Sequence, residues 1–149
     1  MFHLLTILMF FNLVSGSCCH KGVLVDGHEG KDKNTAYAQR INYFGYYTME
    51  AGFVNGKSHF LKYDDKNKAI WWVCAYTNST GRCRGRWIVG ETDYLGQIPK
   101  YGLTFYVDTE AECPYTPGYS WRYRTQWYEW RDAGNGFTIH DYYCQAYRG

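Results

Sequence analysis

Short runs of apolar residues, separated by polar turns, fill the chain from residue 41 onwards. Runs of this length that alternate or are rich in aromatic residues are typical of β-strands. The pattern predicts strands over residues 41–49, 59–63, 69–76, 84–90, 102–107, 121–130 and 138–147. Residues 69–76 read AIWWVCAY, an almost continuous apolar run that indicates a central strand buried on both faces.

Turn signals separate these strands. Asn55-Gly56 is the strongest, because both residues tolerate the positive φ of a two-residue hairpin. Residues 78–81 (NSTG) predict a second hairpin turn, and no segment shows a sustained helical period. Aromatic residues make up 20% of the chain, which also favours sheets over helices. The sequence therefore predicts an all-β fold, either a single antiparallel sheet or meander, or a small barrel.

The first 17 residues predict a signal peptide. Residues 4–14 are apolar except for Thr6 and Asn12, a run too short to cross a bilayer but typical of secretory signals. We therefore expect a secreted, extracellular protein with no membrane span. Residues 18–40 are predicted as an irregular lead-in with one short edge strand around residues 23–25, and residues 41–149 as the aromatic-rich β-domain.

The cysteines predict a fold stapled by disulfides, since an exported chain meets oxidising conditions. The six are Cys18, Cys19, Cys74, Cys83, Cys113 and Cys144. Cys74 and Cys83 flank the turn at residues 78–81, which predicts a bridge across that hairpin. Adjacent Cys18 and Cys19 each need a distant partner, which leaves the two C-terminal cysteines in either order. Zinc-ligand pairs such as C-x-x-C are absent from the sequence, so no metal is expected.

A set of turn glycines and aromatic residues resembles a known domain. The set comprises Tyr46-Tyr47, Gly52, Asn55-Gly56-Lys57, Phe60, Ile70-x-Trp72, Trp87-x-Val89-Gly90, Gly96, Gly102, Tyr106-x-x-Asp108, Pro114 and Trp121. It resembles a small aromatic-rich β-domain of secreted and multidomain invertebrate proteins, with an NG[KR] hairpin, a W-x-[IV] strand and a late Trp. The resemblance covers about residues 44–130. It implies the β fold, and since that family has no defined activity it implies little about function.

Five arginines recur at alternate positions of predicted strands: Arg82, Arg84, Arg86, Arg122 and Arg124. Alternate positions project from one face of a strand. With the neighbouring Tyr and Trp, such a stripe predicts binding of anionic glycans or acidic matrix polymers. The alternative is that these arginines only solvate the outer face of a sheet whose inner face holds Trp87. The formal net charge of +2 is too small to imply a nucleic-acid partner.

Three further features bear on function. Asn78-Ser79-Thr80 is an N-glycosylation acceptor in a predicted turn, so we expect a glycoprotein. Residues 64, 65 and 67 carry oxygen ligands that suit calcium, but their spacing does not match an EF-hand and favours a solvated turn. The sixteen tyrosines fit either sheet packing or oxidative cross-linking in an extracellular matrix.

Enzymatic motifs such as G-x-S-x-G and H-E-x-x-H are absent from the sequence. We therefore expect a non-enzymatic protein without a cofactor. Export, tyrosine richness and the invertebrate resemblance favour a structural or binding component of an extracellular matrix, such as a shell or cuticle. A soluble secreted effector, either a glycan-binding module or a venom toxin, is the alternative.

Overall fold

The computed structural model describes residues 21–28, 36–118, 120–125 and 130–141. These residues form nine strands. They are β1 (Gly22–Asp26), β2 (Gly45–Met49), β3 (Phe60–Lys62), β4 (Lys68–Thr77), β5 (Cys83–Glu91), β6 (Thr104–Asp108), β7 (Arg122–Arg124), β8 (Trp130–Asp132) and β9 (Thr138–Asp141). The predicted signal peptide, residues 1–17, lies outside the described residues.

All nine strands belong to one antiparallel sheet in the order β8-β7-β6-β5-β4-β3-β2-β1-β9. Strands β1 to β8 follow one another as a meander, and β9 returns to pair with β1. The sheet curls into a half-barrel. The predicted all-β class and single antiparallel sheet are confirmed.

The inner face of the curled sheet carries the main core. Because side chains alternate along a strand, one residue in two from each strand points inward. These inner residues are mostly fully buried: Val23, Val25, Tyr47, Phe60, Ile70, Trp87, Val89, Phe105, Val107 and Ile139. Trp121 and Phe137 complete the core, and Phe137 stacks on Phe105 at 3.8 Å between ring centroids. Aromatic side chains thus fill the concave side of the sheet.

The central strand β4 is buried on both faces, as the apolar run predicts. Trp71 and Val73 face outward from β4, where they pack with Ile88 of β5. Loop side chains, Leu95 among them, cover this outer cluster. The indole Nε1 of Trp71 donates to the Gln97 carbonyl at 2.9 Å, which fixes the covering loop.

The segment predicted as one strand over residues 41–49 divides into two elements. Ala36–Tyr43 is a 3₁₀ helix, and only Gly45–Met49 is a strand. The Tyr43 hydroxyl lies 2.9 Å from both the Glu91 carboxylate and the Leu103 carbonyl. Aromatic composition suggested a strand here, but these long-range hydrogen bonds hold the tyrosine in a helical turn against the core.

The N-terminal segment forms an inner strand of the sheet, which the sequence did not predict. The segment expected as an irregular lead-in contributes β1, which lies between β2 and β9 and not at an edge. The predicted edge position is wrong. Strand β9, more than a hundred residues later in the chain, pairs with the edge of β1 that β2 leaves free. A pairing between strands so far apart in sequence leaves no local signal.

Both predicted hairpin turns are present. Asn55 and Gly56 have φ of 52° and 80°, and Val54 and Lys57 exchange two backbone hydrogen bonds across them. At the second turn, the Gly81 N–H donates to the Asn78 carbonyl at 3.0 Å. This turn joins β4 to β5, the longest strand pair of the sheet.

The predicted disulfide between Cys74 and Cys83 is confirmed, with their Cα atoms 5.6 Å apart. Closing a loop of nine residues stabilises the fold by roughly 2–3 kcal/mol through the unfolded chain. Cys113 is also disulfide-bonded. Its predicted partners, Cys18 and Cys19, lie outside the described residues, as does Cys144.

None of the helices in the described part of the chain has the length and hydropathy that crossing a membrane requires. Across the same ranges, no three His, Cys, Asp or Glu side chains gather as a metal site would require. The carboxylates of the acidic turn considered for calcium form salt bridges with lysines. An Asp64 oxygen lies 2.5 Å from Lys62 Nζ, and an Asp65 oxygen lies 3.2 Å from Lys68 Nζ.

Candidate functional site

Strand register brings four of the five predicted arginines to one face of the sheet. Residues directly opposite each other on neighbouring strands share a face. Ile88 of β5 lies opposite Tyr106 of β6, which lies opposite Arg122 of β7. The outer face of β5 to β8 therefore carries these side chains, here called the arginine face: Arg84, Arg86, Tyr106, Arg122, Arg124 and Trp130.

Cations and aromatic rings interleave on the arginine face. The guanidinium carbon of Arg86 lies 4.5 Å from the centre of the Tyr106 ring, and that of Arg124 lies 4.8 Å from the Trp130 ring. Arg122 lies 5.7 Å from the Tyr106 ring. Each such contact contributes about 0.5–2 kcal/mol, so the cluster stabilises the outer face.

Burial raises the pKa of Tyr106. The guanidiniums of Arg122 and Arg86 oppose this rise, while the Asp108 carboxylate adds to it. The phenol therefore stays neutral at physiological pH, and its ring remains available to the two cations.

Two arginines of the arginine face, Arg86 and Arg124, contact acceptor groups within the protein. Arg124 is buried and donates to the Pro99 carbonyl. Arg86 Nε lies 3.0 Å from an Asp108 oxygen, an ion pair without the alignment of a hydrogen bond. For Arg86 and Arg124, a structural role therefore fits better than anion binding does.

Arg82 and Arg84 are more exposed to solvent than Arg86 and Arg124 are. Arg82, which lies in the turn before β5, contacts Glu110 at 3.0 Å, and Arg84 lies 3.8 Å from the same carboxylate. Their side chains are 68% and 53% exposed. Two guanidiniums thus share one carboxylate, which leaves N–H donors facing solvent.

A groove of about 230 Å³ lies beside these arginines, at the end of the β4–β5 hairpin. We call it the hairpin groove. Its lining residues are Tyr76, Arg84, Gly85, Asp108, Thr109 and Glu110. It combines an exposed aromatic ring with cationic and anionic groups.

A β-bulge turns Tyr76 toward this groove. Register between β4 and β5 shifts between Cys74 and Tyr76, so that Cys74 lies opposite Gly85 and Tyr76 opposite Arg84. Regular alternation would place Tyr76 on the inner face with Cys74. The extra residue moves it to the outer face, a common use of bulges next to functional sites.

Two core tryptophans hold the opposite wall of the groove. Trp72 Nε1 donates to the Thr109 carbonyl at 3.0 Å, and Trp87 Nε1 donates to the Ala111 carbonyl at 2.9 Å. These carbonyls flank Glu110 in the chain. The backbone on both sides of Glu110 is therefore held by the two tryptophans.

One oxygen of the Glu110 carboxylate makes an ion pair but no hydrogen bond within the described part of the chain. This oxygen, Oε1, is buried. Arg84 Nη1 lies 3.8 Å from this oxygen, an ion pair too long for a hydrogen bond, so the arginine compensates its charge.

The turn that carries Asn78 lies beside the groove. Its side-chain oxygen Oδ1 accepts hydrogen bonds from the Thr80 N–H at 3.1 Å, the Thr80 hydroxyl at 2.7 Å and the Arg82 N–H at 2.9 Å. These three bonds fix the orientation of the Asn78 amide.

No protein family, curated protein or solved structure matches this chain.

The sequence singled out Arg84 as a candidate anion-binding residue, but not Tyr76, Asp108, Thr109 or Glu110. One signal was present. Gly85 interrupts a strand rich in large residues, and an isolated glycine in a strand indicates a bulge or a close approach. A Cβ atom at Gly85 would lie 1.8 Å from the Trp72 ring, which is such an approach.

Proposed function

We propose that this protein is a non-enzymatic, secreted component of an extracellular matrix that binds an acidic glycan at the hairpin groove. One observation carries the proposal. The Arg82 and Arg84 guanidiniums, 68% and 53% exposed, share the single Glu110 carboxylate beside a groove that also carries the exposed Tyr76 ring.

Each part of the groove suits a different part of a charged saccharide. The Tyr76 ring is 61% exposed and offers an apolar face for a sugar ring. The Asp108 carboxylate, 61% exposed, can accept a hydrogen bond from a sugar hydroxyl. A sulfate or carboxylate on the sugar would accept charge-assisted hydrogen bonds from Arg84 and its neighbour Arg82.

The local charge also favours an anion. Arg82, Arg84 and Arg86 face Asp108 and Glu110, so three cations oppose two carboxylates. A repeating acidic polymer can add contacts along the outer face toward the exposed Arg122. Because Arg82 and Arg84 are exposed to solvent, binding is expected to weaken as salt rises.

Heparin affinity tests the proposal. The double variant Arg82→Ser and Arg84→Ser is expected to bind a heparin oligosaccharide about tenfold more weakly, a loss of about 1.4 kcal/mol. The control removes two exposed charges outside the groove, Lys66→Ser with Lys100→Ser, and should bind like the wild type. Equal losses in both double variants would mean general charge attraction, and no loss in either would refute the groove.

The extracellular-matrix location rests on other observations. The apolar N-terminal segment favours export, and the disulfides suit an oxidising compartment. The resemblance to secreted invertebrate domains supports the same compartment. Recovery of the native protein in the insoluble fraction of its tissue is expected; recovery only as a free monomer in a secretion would favour the soluble effector.

Asn78 is expected to carry an N-linked glycan in a eukaryotic host. Its amide oxygen is held by Thr80 and Arg82, and the turn lies at the surface end of a hairpin. The native protein should be heavier than its sequence by the mass of one glycan, and Asn78→Gln should lose that mass. An intact mass equal to that of the unmodified mature chain contradicts this expectation.

A further inference from the structure

The described tyrosines divide into two groups. Most pack against the core, and buried hydroxyls make hydrogen bonds, as Tyr47 does to the Tyr43 carbonyl at 2.8 Å. Three others are well exposed: Tyr63 at 69%, Tyr76 at 61% and Tyr101 at 62%. Burial in the core does not explain these three rings, because each is more than half exposed to solvent.

The three exposed rings lie at opposite ends of the half-barrel. Tyr63 lies just before the start of β4, and Tyr101 precedes β6 at that same end, where Lys68 faces Glu91. Tyr76 lies near the other end of β4. A ten-residue strand is about 30 Å long, more than two tyrosine side chains can bridge within one molecule.

We propose that these tyrosines are the sites at which copies of the protein become covalently joined, end to end, through dityrosine bonds. The co-reactant is a peroxide, used by an extracellular haem peroxidase. The inference extends the matrix role proposed above and does not depend on the hairpin groove. Reactive rings at both ends allow each molecule to join two others, which is what a polymer requires.

The coupling of two tyrosines is a two-electron oxidation. Each of two phenols loses one hydrogen atom, as a proton and an electron, to give a phenoxyl radical. The radicals couple through the ring carbons next to the oxygens, forming one C–C bond. The two hydrogens on those carbons move to the oxygens, which restores both phenols. The two protons and two electrons removed reduce one hydrogen peroxide to two waters.

The experiment treats the purified protein with a peroxidase and hydrogen peroxide. The test variant carries Tyr63→Phe, Tyr76→Phe and Tyr101→Phe. Phenylalanine at these three positions cannot form a phenoxyl radical. The control carries the same change at three buried or half-buried tyrosines, Tyr94, Tyr106 and Tyr123. A second variant with only Tyr63→Phe and Tyr101→Phe, both outside the groove, should bind heparin like the wild type, so loss of one function can be separated from loss of the other.

We expect the wild type and the control to form a ladder of oligomers with dityrosine fluorescence, and the test variant to lose at least about nine-tenths of both. Peptide mapping should place the cross-links at Tyr63, Tyr76 and Tyr101. The proposal is overturned if the wild type stays monomeric, if the test variant forms the same ladder, or if the cross-links map to other tyrosines.

Discussion

Gly85→Ala is expected to lower the free energy of unfolding by about 3 kcal/mol or more. The added Cβ atom would lie 1.8 Å from the Trp72 ring and 2.6 Å from its Nε1 atom. The indole cannot move aside cheaply, because it donates to the Thr109 carbonyl and lies 5.0 Å from the Lys57 ammonium. Urea unfolding of the wild type and the variant measures the loss.

Gly90→Ala on the same strand is the matched control. There the added Cβ meets its nearest atom, in Trp71, at 3.3 Å, so the cost should stay near 1 kcal/mol or below. The smaller ring of Trp72→Phe should also recover part of the stability lost by Gly85→Ala, giving a non-additive double-mutant cycle. Equal stability of Gly85→Ala and wild type would contradict the close approach.

Trp87→Ala is expected to cost about 3–5 kcal/mol, the range for truncating a fully buried tryptophan. It removes both a core ring and the donor that holds the Ala111 carbonyl. The loss should appear as a lower urea midpoint, and heparin binding should weaken in the fraction that remains folded, because the segment carrying Glu110 loses an anchor.

Trp87→Phe separates the two effects. Phenylalanine keeps most of the ring volume but has no N–H, so we expect a smaller loss of stability, about 1–3 kcal/mol, with the same weakening of heparin binding. If Trp87→Phe binds heparin like the wild type, the indole hydrogen bond does not position the groove.

Local patterns predicted much of the fold. The continuous apolar run identified the doubly buried strand β4, and Asn55-Gly56 and residues 78–81 located two hairpins. The Cys74–Cys83 bridge followed from its hairpin. The placement of β1 could not be predicted, because β9 pairs with it from the far end of the chain. The 3₁₀ helix at Ala36–Tyr43 was missed for a similar reason, since distant hydrogen bonds hold it.

The candidate site was less predictable than the fold. Alternation correctly placed Arg84 and Arg86 on one face, yet the carboxylates that contact them come from residues 108 and 110. Those partners depend on how the segment after β6 docks onto two core tryptophans. The bulge that turns Tyr76 outward reverses what alternation implies, and a one-residue shift of this kind leaves no mark in the hydrophobic pattern.

Binding of an acidic glycan in the hairpin groove is the central claim. Titrating the isotope-labelled protein with a heparin oligosaccharide, followed by amide chemical shifts, tests it most directly. The largest shifts are expected at Tyr76, Thr109 and Glu110, which surround the groove. Shifts confined to the opposite end, near Tyr63 and Tyr101, or no shifts at all, would contradict it.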